Sequence, residues 1–229
     1  PNHYKRTRYI PGPLFYVRKG THMNTVWSVK QAIEITGGIS NPSKMPGHSF
    51  SIPASRCTTG SKLRKVPGSV CSMCYALKGN YKRFPNVEKA LEKRYQLLNH
   101  PQWVDAMVLL ISKTGDRYFR WHDAGDIQSV EHLRNIFAVC RLTPQVKYWL
   151  PTRETQFIKQ ISIDDVPDNL VIRISSHMID QAPVKWWPHT STVVSDHSQS
   201  CPAPNQGNKC QDCRACWDKS VSTVSYSAH

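Results

Sequence analysis

Seven of the eight cysteines fall in two groups far apart in the chain: Cys57 with Cys71-Ser-Met-Cys74, and Cys201-Pro202 with the run Cys210-x-x-Cys213-x-x-Cys216. Thiolates at such spacing bind soft metals or iron–sulfur clusters, or work as redox dithiols. Zinc prefers two separated Cys-x-x-Cys knuckles around one tetrahedral ion. The tandem run instead suits three corners of a [4Fe–4S] cube, with a remote Cys-Pro as fourth ligand, here Cys201-Pro202. Cys57, Cys71 and Cys74 make a three-thiolate set, which on a cube leaves one iron open to a ligand or substrate. A histidine such as His48 completing a zinc or iron site is the other way to close that set. One or two [4Fe–4S] clusters are therefore expected on these seven cysteines, with zinc as the alternative. Cys140 stands apart, on the apolar side of a helical pattern, and reads as a buried inert thiol.

A second population of chemistry-bearing residues follows short apolar runs. His122-Asp123-Ala-Gly-Asp126 comes after Arg117–Trp121, Arg153-Glu154 after Val146–Leu150, His177 after Leu170–Ser175, and Asp196-His197 after Thr192–Ser195. His122, Asp123 and Asp126 are candidates for acid–base work or for orienting a substrate beside an open iron. The structural alternative makes Asp123 and Asp126 caps of a helix starting near Gln128, with Gly125 permitting the bend. Arg153 and Glu154 could bind an anionic group or pair with each other. His177 and His197 are candidate ligands or ordinary structural histidines.

The elements that must position these groups alternate. The apolar runs just named predict four strands. Thr25–Ile35 reads as a helix closed by Gly37-Gly38, Asn86 as the cap of a helix through Leu98, and Pro101 as the opening of a helix carrying Trp103, Met107 and Leu110. Leu133, Ile136, Phe137 and Cys140 give the apolar face of the next helix, and another runs through Phe157, Ile158 and Ile161. Strand–helix alternation predicts an α/β fold with parallel strands and helical crossovers, partial (β/α) barrel-like, with cysteine-rich metal-binding loops. In such folds sites lie at the carboxyl ends of the strands, which is where both cysteine groups are expected too. The 229 residues suit a single domain. It divides into a basic arm (1–20), a cysteine loop (39–80), an α/β body (86–197) and a C-terminal cysteine cluster (201–217).

The formal charge is +14, and its location is more telling than its size. Residues 1–95 hold 17 Lys and Arg against three Glu, while residues 96–229 hold 13 of each sign. The basic half thus coincides with the first cysteine group, and would attract an anionic small molecule or a nucleic acid, or simply keep the surface solvated. No apolar run is long enough for a membrane span and none opens the chain as a signal segment, so a cytoplasmic setting is expected. There, eight cysteines argue for metal over disulfides.

Cys71-x-x-Cys74-Tyr-Ala-Leu-Lys-Gly79, then Arg120-Trp-His-Asp-Ala-Gly-Asp126, then Lys209-Cys210-x-x-Cys213-x-x-Cys216-Trp217 together resemble the gene-88-type proteins of bacteriophages and mobile elements, over about Gly47–Trp217. That resemblance implies a phage-associated cysteine-rich protein, cytoplasmic in the host cell. A looser one is to the radical S-adenosylmethionine enzymes, which place a three-cysteine cluster before the first helix of a partial barrel and in some cases an auxiliary cluster at the C-terminus. It implies S-adenosylmethionine as a cofactor, with Tyr75, Arg153, Glu154 and His177 near it. Two departures stand out: 13 residues separate Cys57 from Cys71, and no Gly-Gly-Glu motif follows, Ala124-Gly125-Asp126 being at best a distant counterpart. The sequence leaves two functions open, an open-site iron–sulfur enzyme and a nucleic-acid-binding protein stabilised by zinc or iron–sulfur centres.

Overall fold

β2 (Tyr118–Trp121), β3 (Lys147–Thr152) and β4 (Leu170–Ser175) carry large apolar side chains on successive residues, the pattern of strands covered on both faces. In the computed structural model, which describes residues 27–228, they form the middle of one six-stranded sheet. β1 (Ser49–Phe50) lies outside β2, and β5 (Thr190–Val194) and β6 (Thr223–Ser227) extend the other side. Every pairing is parallel and the spatial order follows the chain, β1-β2-β3-β4-β5-β6. The α/β architecture is as expected, with the sheet open and not closed into a barrel. The basic arm at 1–20 lies outside the described residues.

The connections are unequal. Between β1 and β2 run α2 (Thr58–Leu63), α3 (Asn80–Arg83), α4 (Pro85–Gln96) and α5 (Trp103–Thr114), preceded in the chain by α1 (Val29–Thr36). α6 (Val130–Leu142) joins β2 to β3, and a single turn, α7 (Thr155–Ile158), follows β3. The last two connections contain no α-helix. Local chemistry sets the helix ends. Ser28 and Gln31 form a capping box and Gly37 closes α1 at φ 79°. Ser129, not Asp126, caps α6, its Oγ accepting from His132 N at 3.0 Å. α4 starts at Pro85, one residue before the expected cap, because Pro suits the first helical position.

One face of the sheet packs on the helices. Phe119, Trp121, Tyr148, Leu150, Ile172 and Ile174 meet Trp103, Met107, Leu133, Ile136 and Phe137 in a buried core. Residues alternating with these point the other way, where Tyr118 and Trp149 pack under the C-terminal segment with Cys216, Trp217, Val224 and Tyr226. The C-terminal cysteines Cys201 and Cys216 thus pack on the sheet face turned away from the helices. Among the described residues no helix is long and apolar enough to cross a membrane.

Candidate metal centres and their surroundings

Cys57 directly precedes α2, while Cys71 and Cys74 belong to the 3-10 turn Val70–Met73 and its end. All three are free thiols. A Cβ built on Gly60 of α2 would stand 2.9 Å from Cys57 Cβ, 3.7 Å from Cys71 Sγ and 3.8 Å from Cys57 Sγ. Both sulfurs therefore face one small space that only a glycine leaves open. Burial pushes the Cys57 thiol up, and Asp126, Glu154, Cys74 and Cys71 add to it by their negative charge. Burial also raises Cys71, with Cys74 adding and Arg153 and Arg64 opposing. Bare, such thiols stay protonated; bound to metal, they would have to give up their protons.

The strand ends hold this loop in place. Glu154 is fully buried and accepts from Thr59 N at 2.8 Å and Thr59 Oγ1 at 2.7 Å, gripping the first turn of α2. Val70 N donates to His177 O at 2.9 Å, and Arg153 Nε donates to Ser176 O at 3.0 Å. Arg153 and Glu154 thus serve separate partners instead of pairing. Of His177, the main chain holds the cysteine loop and the side chain is part-exposed.

Asp126 is nearly buried, and its carboxylate accepts from Thr152 Oγ1 (2.6 Å), Ile127 N (2.8 Å) and Arg153 N (2.9 Å). Burial pushes its carboxyl up to about 7, against those donors and with Glu154 adding to the rise. A carboxyl tuned toward neutrality beside Cys57 could hold or release a proton there. Asp123 accepts from Ser49 Oγ at 2.9 Å and Tyr81 OH at 2.8 Å, while Tyr75 OH donates to its main-chain oxygen. Its carboxylate is thus already engaged. Gly125, at φ 82°, makes the turn possible, since a Cβ there would stand 2.3 Å from Ile52 Cγ1.

His122 does not line this site. Its backbone is left-handed (φ 60°), which breaks the strand alternation and turns the ring into the helix-covered core. There it lies 5.2 Å from the His132 ring and 6.1 Å from Phe50, with no hydrogen-bond partner on either nitrogen among the described residues. His48 is no ligand either. It stands before β1, at the amino ends of the strands, with Nδ1 2.5 Å from Asp116 Oδ2. Asp196 and His197 form an exposed turn in which Asp196 Oδ1 accepts from Ser198 N at 3.0 Å. Cys140 is fully buried, as expected.

The C-terminal group lies over the second sheet face, not at the strand ends. The reason is a second apolar surface, Tyr118 and Trp149, onto which Trp217 packs at ring distances of 5.7 and 5.2 Å. Trp217 Nε1 donates to Phe119 O at 2.9 Å, Cys201 N to Ser225 O at 3.0 Å and Cys210 N to Lys44 O at 2.9 Å. Cys201, Cys210, Cys213 and Cys216 are free thiols whose negative charges would repel one another: Cys210 feels Cys201 and Cys213, and Cys216 feels Cys201. Burial raises Cys201 and Cys210, and pushes Cys216 up to about 11 against the Tyr226 hydroxyl at 3.1 Å.

Two arginines absent from the expected site belong to it. Arg173 of β4 is fully buried, and its guanidinium donates to the carbonyls of Thr190, Ala215, Cys216, Asp218, Val221 and Ser222 at 2.8–3.3 Å. Arg120 of β2 stacks on Trp149, 4.4 Å from the ring centroid. Its charge interacts with Tyr75, Asp123, Tyr226 and Cys216, and it acts on Cys210. A lone charge in an apolar strand was the visible signal for both.

The donor sets fit iron–sulfur clusters in number and kind: three sulfurs with a glycine cradle, and four sulfurs, three on the tandem loop Cys210–Cys216 and one at Cys201. Among the described residues no three His, Cys, Asp or Glu side chains close on the position of a single metal ion. Two thiolates on one zinc stand about 4 Å apart, whereas the corners of a four-iron cube hold their thiolates wider. The family model for gene product 88 matches residues 21–219. No curated protein and no solved structure matches the chain.

Proposed function

The chain belongs to the gene product 88 family, and we propose that it is an iron–sulfur protein with a [4Fe–4S] cluster on each thiol set, the first of them an open-site cluster. The observation that carries this is the gathering of seven free thiols into two sets, one of them a thiolate short and walled by Asp126, Glu154 and Arg153. Cys201, Cys210, Cys213 and Cys216 would complete the second cluster, on the far face. An iron lacking a fourth thiolate would supply a coordination position and a single electron to whatever binds there.

The chain's own groups would do the rest. Cys57, Cys71 and Cys74 hold the cluster, Glu154 fixes the helix that carries Gly60, and Asp126 offers a carboxyl poised near neutrality beside Cys57. S-adenosylmethionine is the ligand this arrangement supports best. The three-cysteine loop follows the first strand of a sequential parallel sheet, and the turn His122–Asp126 follows the second.

Anaerobically purified protein is expected to be brown and to contain about eight iron and eight acid-labile sulfide per chain. Cys71→Ser and Cys213→Ser should each remove about half. Stoichiometric zinc in colourless protein would overturn the proposal. Equilibrium dialysis should detect S-adenosylmethionine binding that Cys57→Ser abolishes; a wild type that binds none leaves the clusters standing and removes this ligand.

A further inference from the structure

The surface around the three-cysteine set combines two features that seldom coincide. Between Glu34 and Glu88 the chain has no acidic residue, while residues 56–83 alone carry seven Lys and Arg. The same stretch of chain bears four of the exposed large hydrophobic side chains among the described residues: Val66 (40%), Met73 (42%), Tyr75 (49%) and Phe84 (50%). These belong to one folded unit. α2 packs against the turn holding Cys71, the turn Tyr75–Leu77 packs against α3, and α3 packs against α4, whose N-cap is Phe84. Lys62, Lys65, Lys78 and Arg83 are exposed around them.

Half-bare aromatic rings among cations, without acids, match one polymer in particular. Phosphates seek Lys and Arg, and unpaired bases stack on aromatic faces. A duplex would satisfy the cations and leave the rings unused, because its base faces are already stacked. An acidic protein would do the same unless it brought apolar residues at matching spacing.

We propose that this face receives a single-stranded nucleic acid, with Tyr75 and Phe84 stacking bases and Lys62, Lys65, Lys78 and Arg83 holding phosphates. Tyr75 directly follows the ligand Cys74, and its hydroxyl is fixed on the Asp123 carbonyl. A base on that ring therefore lies beside the segment that carries Cys74 and beside the turn at Asp123. Resting on the open-site reading above, the substrate of the first cluster is then a nucleotide within a strand.

The test uses the anaerobic 229-residue chain and fluorescein-labelled 12-mers of mixed sequence, as RNA and DNA, followed by anisotropy. Single strands should bind at least tenfold more tightly than the duplex of the same sequence. Tyr75→Leu and Phe84→Leu should each weaken binding roughly 5- to 100-fold, while Tyr75→Phe retains it. Lys65→Gln should lower the log–log salt slope by about 0.7. Equal binding of duplex, equal competition by polyglutamate, or indifference to both ring variants would overturn the proposal. Iron is measured on every sample. Lost binding with iron retained in a variant isolates the strand site, and binding by a wild type without iron would sink the cluster reading while leaving this one intact.

Discussion

Arg173 Nε donates to the main-chain oxygen of Cys216 at 3.1 Å, tying the fourth strand to a cysteine 43 residues further on. The same guanidinium serves five more carbonyls, four of them within residues 215–222. No shorter or less branched cation could do this, since lysine has three donors and no planar fork. Arg173→Lys should therefore leave several buried carbonyls unpaired and lower stability by about 3–5 kcal/mol. Urea unfolding measures that loss. Iron analysis should show the second cluster depleted first, because the carbonyls released belong to its loop.

Gly60 sits inside a helix, where alanine is ordinarily favoured by up to about 1 kcal/mol. The built Cβ lies 2.9 Å from Cys57 Cβ and points into the space both sulfurs face. Gly60→Ala thus sets helix propensity against room for the cluster. About half the iron should be lost, and the metal-free protein should lose some thermal stability too, because the new Cβ meets Cys57 Cβ and not the free end of a flexible side chain. Full iron in Gly60→Ala would mean the cradle is not where the cluster sits.

Much of this arrangement was legible in the residues. Tyr118–Trp121, Lys147–Thr152 and Leu170–Ser175 announce themselves as strands because runs of large apolar residues need two covered faces. β1 and β6 do not: Ser49-Phe50 is two residues long, and Thr-Val-Ser-Tyr-Ser has few apolar positions to count. The place of the second thiol set was hidden for a related reason. Chain proximity of Cys201 to β5 suggested the strand ends, while the actual anchor is the pairing of Trp217 with Tyr118 and Trp149, contacts about 70 to 100 residues apart in sequence. His122 looked catalytic by its neighbours, and only its left-handed backbone shows why the ring turns inward. Glu154, at the end of a strand, suggests a cofactor contact, whereas its burial against Thr59 makes it a support for the loop that holds the thiols.

His122 and His132 give the fold a pH dependence of known sign. Burial lowers His132 to about 3, and lowers His122 well below its usual value, with the His132 and Arg120 charges adding. Both are then neutral when folded, while the unfolded chain protonates them near 6.5. The unfolded state binds more protons on these two rings below that pH, so their contribution is complete above about 6.5 and is lost as pH drops toward 3, while Asp126, raised to about 7, works the other way between about 7 and 4. The slope should approach about 1.4 kcal/mol per pH unit for each histidine. Denaturant midpoints between pH 7 and 4.5 would measure it. His132→Gln should flatten the slope by one histidine; an unchanged slope would show that the ring is not held neutral.

Arg120 offers the sharpest test of the two-cluster picture, because its charge faces residues of both thiol neighbourhoods. A cation near an iron–sulfur cluster stabilises the reduced, more negative form, so its removal should make reduction harder. Arg120→Met keeps the stem that lies against Trp149 and deletes the charge. Potentiometric titration followed by electron paramagnetic resonance should show two signals in the wild type. Both should move to lower potential in the variant, by on the order of 50 mV. A shift confined to the C-terminal signal would place Arg120 with the second cluster alone. No shift in either would mean that the charge is screened from both, against the position that Asp123, Cys210 and Cys216 give it.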